Sequence, residues 1–159
     1  MKSNTRFAFL IMVLSLLANF NALSQSSFQT ECASLQTSGY IVIKIWDVKK
    51  GAKYSFNQAR KDAINAVLIS GIAGGAGCTT QPPILKTSDD QLNFKKISKA
   101  FFKKNGKWTS FTRSSEIATT QASSLGVNNW KVYEIKISKD ELRKYLEEQK
   151  IIKSLNNGF

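Results

Sequence analysis

The chain has 159 residues, of which 42% are hydrophobic and 21% charged, and its formal net charge is +12. This length fits one domain of ordinary size. The chain contains no histidine, which excludes a Ser-His-Asp triad, a Cys-His pair and a histidine-based zinc site. The positive charge favours anionic partners such as lipids, lipopolysaccharide, glycans or nucleic acid, and a basic surface that is merely solvated is the alternative.

Residues 1–24 predict a signal peptide that is cleaved during export. Two basic residues precede an apolar run at 7–20, and Ala22 and Ser24 are small residues that suit cleavage. A membrane anchor is the alternative, but it needs about 20 apolar residues and this run is shorter. We therefore expect a single periplasmic or secreted domain of residues 25–159 with no transmembrane segment.

Two cysteines, Cys32 and Cys78, remain in the predicted domain. In an oxidising compartment an isolated pair is more often bonded than free, and closing a loop of this length contributes about 4 kcal/mol in the chain-entropy model. We therefore predict a disulfide. Two free thiols are one alternative. A reactive cysteine is another, although the chain has no C-x-x-C motif.

Two patterns predict the secondary structure. Alternating β-branched and aromatic residues indicate strands. A serine followed three residues later by Gln or Glu has the spacing of a capping box and indicates the start of a helix. In chain order, the predicted elements are a strand at 39–48, helices beginning at Ser55 and Ser88, strands at 107–121 and 130–138 joined by a turn at 126–129, and a helix beginning at Ser138.

The resulting order, β-α-α-β-β-α, predicts an α+β fold. An antiparallel sheet of at least three strands would pack against about three helices. The first strand is expected to be central because three isoleucines share one face and the other face is also largely apolar. In the first helix, small and β-branched side chains form a narrow ridge that would let the helix approach the sheet closely. The ridge consists of Ala59, Ala63, Ala66, Val67 and Ser70.

A glycine-rich stretch at 71–77 follows the first predicted helix, and two prolines come after it. A phosphate-binding loop needs its glycines after a strand and before a helix, and this stretch also lacks the Lys-Ser/Thr of a P-loop. We therefore predict a helix end that unwinds into a turn. No nucleotide or other cofactor is expected.

A cationic segment is the strongest candidate for binding. Between Gln91 and Ser115 there is no acidic residue, and the lysines of the helix lie opposite its apolar face. Such an array suits phosphates or sulfates, and a solvated lysine face is the alternative. The dominance of lysine over arginine argues against bidentate recognition of one specific anion. The candidate anion-binding residues are Lys95, Lys96, Lys99, Lys103, Lys104, Lys107 and Arg113.

Catalysis has little support in the sequence. The neighbouring carboxylates at 89–90 and 147–148 point apart on their predicted helices and are typical of surface groups. We predict no catalytic residue and no metal site, and find no specific signal for nucleic acid. The predicted function is a non-catalytic binding or assembly module for another component of the cell envelope, an envelope protein or an anionic polymer. The alternatives are an enzyme of unrecognised type acting on an envelope polymer, and a structural subunit of a surface assembly.

Three segments carry a resemblance to a known group. Residues 139–159, 58–72 and 100–111 resemble a family of small secreted or periplasmic proteins of Bacteroidetes-type bacteria, which carry a signal peptide and one α+β domain. The resemblance covers most of the predicted domain. It implies a cell-envelope location and an α+β fold, and it implies no catalytic residues.

Overall fold

The structure is a computed structural model. It describes residues 27–36, 39–75, 78–114 and 131–154. The predicted signal peptide, the predicted turn at 126–129 and the part of the predicted strand beyond residue 114 lie outside these ranges.

A four-stranded antiparallel sheet forms one layer of the fold. Its spatial order is β1-β2-β4-β3, so the predicted α+β class with at least three antiparallel strands is confirmed. One strand, β1, was not predicted, because its mixed polar sequence does not alternate clearly. The strands are β1 (Phe28–Gln36), β2 (Tyr40–Asp47), β3 (Thr112–Ser114) and β4 (Tyr133–Ser138).

The two central strands supply the middle of the core. Ile41 and Ile43 of β2 stand opposite Ile137 and Ile135 of β4, and all four side chains are buried. Because side chains alternate between the faces of a strand, the residues between these isoleucines project from the other face of the sheet. The predicted central strand is therefore confirmed, with β1 and β4 as its neighbours.

Three α-helices pack with this sheet in the described residues, in agreement with the prediction. Two short 3₁₀ helices, at Gly51–Lys53 and Lys107–Phe111, connect the larger elements, and α1 continues into a π-helical turn at Ala66–Ser70. The α-helices are α1 (Phe56–Asn65), α2 (Ser88–Phe101) and α3 (Lys139–Glu148).

The prediction of a long strand at 107–121 is wrong at its start. Residues 107–111 form a 3₁₀ helix, and β3 begins only at Thr112. Trp108 and Phe111 lie three residues apart, which places them on one side of a 3₁₀ helix, and both are buried. The indole Nε1 of Trp108 also donates to the carbonyl of Lys103 at 2.9 Å. Burial of these two aromatic side chains therefore outweighs the strand propensity of the segment.

The three predicted helix starts differ in how they are capped. Ser55 caps α1 by accepting from the Gln58 amide at 3.3 Å, as predicted. The α2 cap lies one residue earlier than predicted, because Thr87 and Asp90 form a reciprocal capping box. At α3 the Ser138 side chain makes no capping bond, since this residue still belongs to β4.

The Gly39 carbonyl caps α3 instead of Ser138. It accepts from the amides of Lys139 at 3.0 Å and Asp140 at 3.2 Å. Gly39 has a φ of 75°, and a Cβ there would collide with the Asp140 carboxylate. The turn between β1 and β2 therefore closes the amino end of α3, a long-range contact that the helix sequence alone does not encode.

The glycine-rich loop after α1 covers the outer edge of β1. The Cys32 amide donates to the Ala73 carbonyl at 3.0 Å, and Cys32 and Cys78 are bonded with their Cα atoms 5.8 Å apart. Gly75 approaches the Cys32 carbonyl so closely that any side chain there would clash. The predicted turn and disulfide are thus both present, and together they shield an edge strand that would otherwise present unpaired backbone groups.

Candidate binding surface

The π-helical turn at the end of α1 changes which side chains face the sheet. A π turn contains more residues than an α turn, so the helical periodicity shifts within it. Leu68 is buried, whereas Ile69 and Ser70 are exposed. The predicted ridge is therefore correct from Ala59 to Val67 and wrong at Ser70. The shift directs the large aliphatic side chain of Ile69 away from the core.

Ile69 borders a groove between the end of α1 and α2, which we call the α1–α2 groove. It has a volume of about 480 Å³. The α2 wall presents residues spaced three or four positions apart, so that they lie on one side of the helix. The lining residues are Asn65, Ile69, Ser88, Gln91, Leu92, Phe94, Lys95, Ser98 and Phe102.

The aliphatic side chains of this groove are more exposed to solvent than most large hydrophobic side chains of the described residues. Ile69 is 39% exposed and Leu92 is 58% exposed. Among the described residues, only three large hydrophobic side chains are exposed, and the third is Val48, outside the groove. Phe102 is half-buried, and its ring packs against Phe94 and Phe101 at centroid distances of 6.1 and 4.9 Å. The groove therefore has a firmly packed aromatic base with aliphatic walls.

Lys95 gives the groove its charge. It is the one charged side chain among the described residues that line it, and Lys99 follows one helical turn later on the exposed surface of α2. Neither lysine takes part in an ion pair within the described ranges. The described surface of the groove is therefore apolar and positive, with no carboxylate lining it.

The other predicted anion-binding residues are distributed over several surfaces. Lys96 donates to the Asn93 side chain at 2.9 Å on a neighbouring side of α2, and Lys103 and Lys104 are exposed in the turn after the helix. Lys107 lies over the rings of Phe111 and Tyr145, 5.5 and 5.7 Å from their centroids.

Arg113 is separated from the lysines of α2 by the sheet. Its strand neighbour Thr112 is buried and accepts from the Arg60 guanidinium of α1 at 2.8 Å. Because side chains alternate along a strand, Arg113 projects from the opposite face. There its guanidinium lies over the Tyr40 ring at 5.5 Å. The structure therefore does not bring the seven predicted residues into one cluster.

A half-buried polar cluster at the start of α1 was not predicted from the sequence. The Tyr54 hydroxyl donates to Asp62 at 3.0 Å, and the Gln58 side chain donates to the same carboxylate at 2.8 Å. Burial raises the pKa of Asp62, and these hydrogen bonds offset part of that effect. Burial also raises the pKa of Tyr54, with the Asp62 charge adding to it. The donors and acceptors satisfy one another, which is typical of a structural network.

Asp47 is the most buried carboxylate of the described residues, at 1% exposure. It accepts from the Ser27 hydroxyl at 2.7 Å and from the amides of Lys49 and Lys50, and Lys50 also pairs with it at 3.3 Å. Burial tends to raise the pKa of Asp47, but these hydrogen bonds and the lysine charge lower it overall. This carboxylate holds the turn after β2.

Neither a metal cluster nor a membrane-spanning helix is found in the part of the chain that the structure describes. Comparison of the chain with protein-family models, curated proteins and solved structures finds no match. Among the described residues, the α1–α2 groove contains two of the three exposed large hydrophobic side chains.

Proposed function

We propose that this protein is a non-catalytic, exported binding module that holds another component of the cell envelope in the α1–α2 groove. The observation that carries this proposal is that two exposed aliphatic side chains, Ile69 and Leu92, line the same groove. Lys95 is the charged residue among the described residues that line it. Folding alone leaves such aliphatic groups exposed at a cost, whereas a partner that covers them gains from their burial.

The chemistry of the groove favours a protein segment as the partner. Its apolar walls and aromatic base suit the insertion of a leucine or phenylalanine side chain, as in the recognition of amphipathic segments by hydrophobic grooves. Lys95 and Lys99 suit acidic residues flanking that side chain. An anionic polysaccharide would use the lysines and leave Ile69 and Leu92 uncovered. We therefore propose an acidic, amphipathic segment of another envelope protein.

The disulfide supports an exported location. The Cys32–Cys78 bond persists in oxidising compartments and is rare where thiols are kept reduced. Together with the leader-like residues 1–24 it favours the periplasm or the extracellular space. The resemblance to secreted or periplasmic proteins of Bacteroidetes-type bacteria agrees with this part of the proposal.

Photo-crosslinking in intact cells tests the proposal. A photoactivatable phenylalanine analogue would replace Leu92 in the full chain, and the same analogue at Val48 would serve as the control. We expect a discrete adduct with an acidic protein segment from position 92 and none from position 48. The adduct should disappear when Ile69→Asp is added, because an acidic side chain in the groove would repel the partner.

Val48→Asp provides the matched control for Ile69→Asp. The two parent side chains are almost equally exposed, at 38% and 39%, so both substitutions should leave the fold intact. Loss of the adduct in both variants, or retention in both, would contradict docking in the groove. An adduct with a glycan or a lipid would contradict the protein-segment version of the proposal.

A further inference from the structure

The face of the sheet opposite the isoleucine core carries two rows of charged residues with different patterns. In β2, Tyr40, Val42 and Lys44 alternate with the buried isoleucines and therefore project from this outer face. In β4, Glu134 and Lys136 alternate in the same way. The charged rows run across the strands, at right angles to the chain direction.

The first row alternates in charge. Lys44 stands opposite Glu31 of β1 on one side and opposite Glu134 of β4 on the other. A cation flanked by two carboxylates in register is a favourable cross-strand arrangement. This row therefore has a carboxylate in register on each side of its cation.

The second row places two cations side by side. Lys136 of β4 stands opposite Arg113 of β3, and its other neighbour across the sheet is the uncharged Val42. Directly opposed like charges on adjacent strands destabilise a sheet. Neither Arg113 nor Lys136 has a carboxylate within ion-pair distance among the residues that the structure describes.

The Tyr40 ring contacts both cations. The Lys136 ammonium is 4.5 Å from the centroid of its ring and the Arg113 guanidinium is 5.5 Å from it. A guanidinium that lies against an aromatic ring still has its N–H groups directed outward in its own plane. Two cations on adjacent strands therefore contact one ring, and the guanidinium N–H groups of Arg113 remain available to a ligand.

We propose that Arg113, Lys136 and Tyr40 form an oxyanion site, and that its ligand is a phosphate or sulfate group. An oxyanion bridging the two cations would replace their mutual repulsion with charge-assisted hydrogen bonds. Glu134, the outer-face carboxylate of β4, lies in the first row, two positions from Lys136. This site is on the face opposite Thr112 and α1, and it does not depend on the function proposed for the groove.

Nuclear magnetic resonance titration of the folded protein with inorganic phosphate at constant ionic strength tests the site. We expect saturable shifts of the Arg113 side-chain N–H and of the Tyr40 and Lys136 signals, with a dissociation constant in the millimolar range. Arg113→Gln and Lys136→Gln should each weaken phosphate binding by about tenfold, because each removes one charge-assisted hydrogen bond.

Lys44→Gln is the matched control. It removes a lysine from the same face and lowers the net charge by the same amount, but from the row that Glu31 and Glu134 balance. Phosphate affinity should stay within about twofold of the parent, because a charge one row away acts only through solvent. An equal loss in Lys44→Gln and Arg113→Gln would show a diffuse charge effect and overturn the site. Shifts that never saturate would overturn it as well.

A second titration distinguishes free from polymer-borne ligands. A sulfated oligosaccharide that displaces phosphate at a much lower concentration of sulfate groups would indicate a polymer as the source. Equal affinity per anionic group would indicate a free anion. In both cases Arg113→Gln must weaken binding, and an oligosaccharide that binds this variant as well as the parent would contradict the assignment.

Discussion

The glycine-rich loop and α2 both follow α1 in the chain, but they differ in whether their groups have partners within the described part of the protein. In the loop, the backbone of Ala73 pairs with β1, and Cys78 is bonded to Cys32. On α2, Leu92 is more than half exposed and Lys95 has no ion-pair partner in the described residues. The difference indicates that the loop stabilises the fold, whereas the exposed surface of α2 is accessible to another molecule.

The same contrast holds for the charged groups. Asp47 and Asp62 are each held by several hydrogen bonds within the protein, and Arg60 is anchored on Thr112. Lys136 and Arg113 stand next to each other without such a partner in the described part. The predictions below measure what the disulfide, the two buried carboxylates and the exposed groove side chain each contribute to stability.

Removal of the disulfide should have the largest effect. The bond closes a loop with a sequence separation of 46, so the double variant Cys32→Ser/Cys78→Ser should lose about 4 kcal/mol of unfolding free energy in the chain-entropy model. Chemical denaturation of the variant and of the oxidised parent would measure this. Reduction of the parent should produce a similar loss, and a change below about 1 kcal/mol would show that the loop does not depend on the bond.

The sequence predicts the parts of the fold that depend on local periodicity. Alternation places Ile41 and Ile43 in the core, and small residues place Ala59 and Ala63 against the sheet. The sequence does not predict β1, because this strand is stabilised by pairing with β2 and by a hydrogen bond to the loop that carries Ala73. Those contacts are distant in the chain and leave no periodic signal.

The candidate site was predictable only in part. Lys95 stands out in the sequence as part of an uninterrupted cationic segment. Ile69 does not, because a regular helix would give it a different orientation and the π-helical turn is not evident from residue types. Leu92 lies off the apolar face of α2 that Phe94 and Phe101 define, and an isolated leucine on a polar face was the available signal.

Asp62 should weaken the fold as the pH rises. Burial raises its pKa above the ordinary value of 3.8, and the hydrogen bonds from Gln58 and Tyr54 offset only part of this. Above pH 3.8 the unfolded state ionises first, so stability falls until the pH passes the raised folded value. Relative to the parent, Asp62→Asn should therefore gain stability as the pH rises from 3.8 through the raised folded value, as measured by denaturation at each pH.

Asp47 should show the opposite trend. Burial tends to raise its pKa, but the hydrogen bonds from Ser27 and Lys50 and the Lys50 charge lower it below 3.8 overall. Its contribution to stability is therefore present above pH 3.8 and is lost as the pH falls through the lowered folded value. Asp47→Asn should differ most from the parent near neutral pH, as a loss. Parallel pH profiles for Asp47→Asn and Asp62→Asn would contradict both assignments.

The smallest effect on stability is expected in the groove. Leu92→Ala should change the free energy of unfolding by less than about 0.5 kcal/mol, because the side chain is 58% exposed. Leu85→Ala, the same substitution at a leucine with no exposure, should cost at least about 2 kcal/mol. Urea denaturation of the two variants side by side gives the comparison. A cost at Leu92 close to that at Leu85 would mean that the fold itself requires Leu92, and the groove would then be part of the core and not a surface open to a partner.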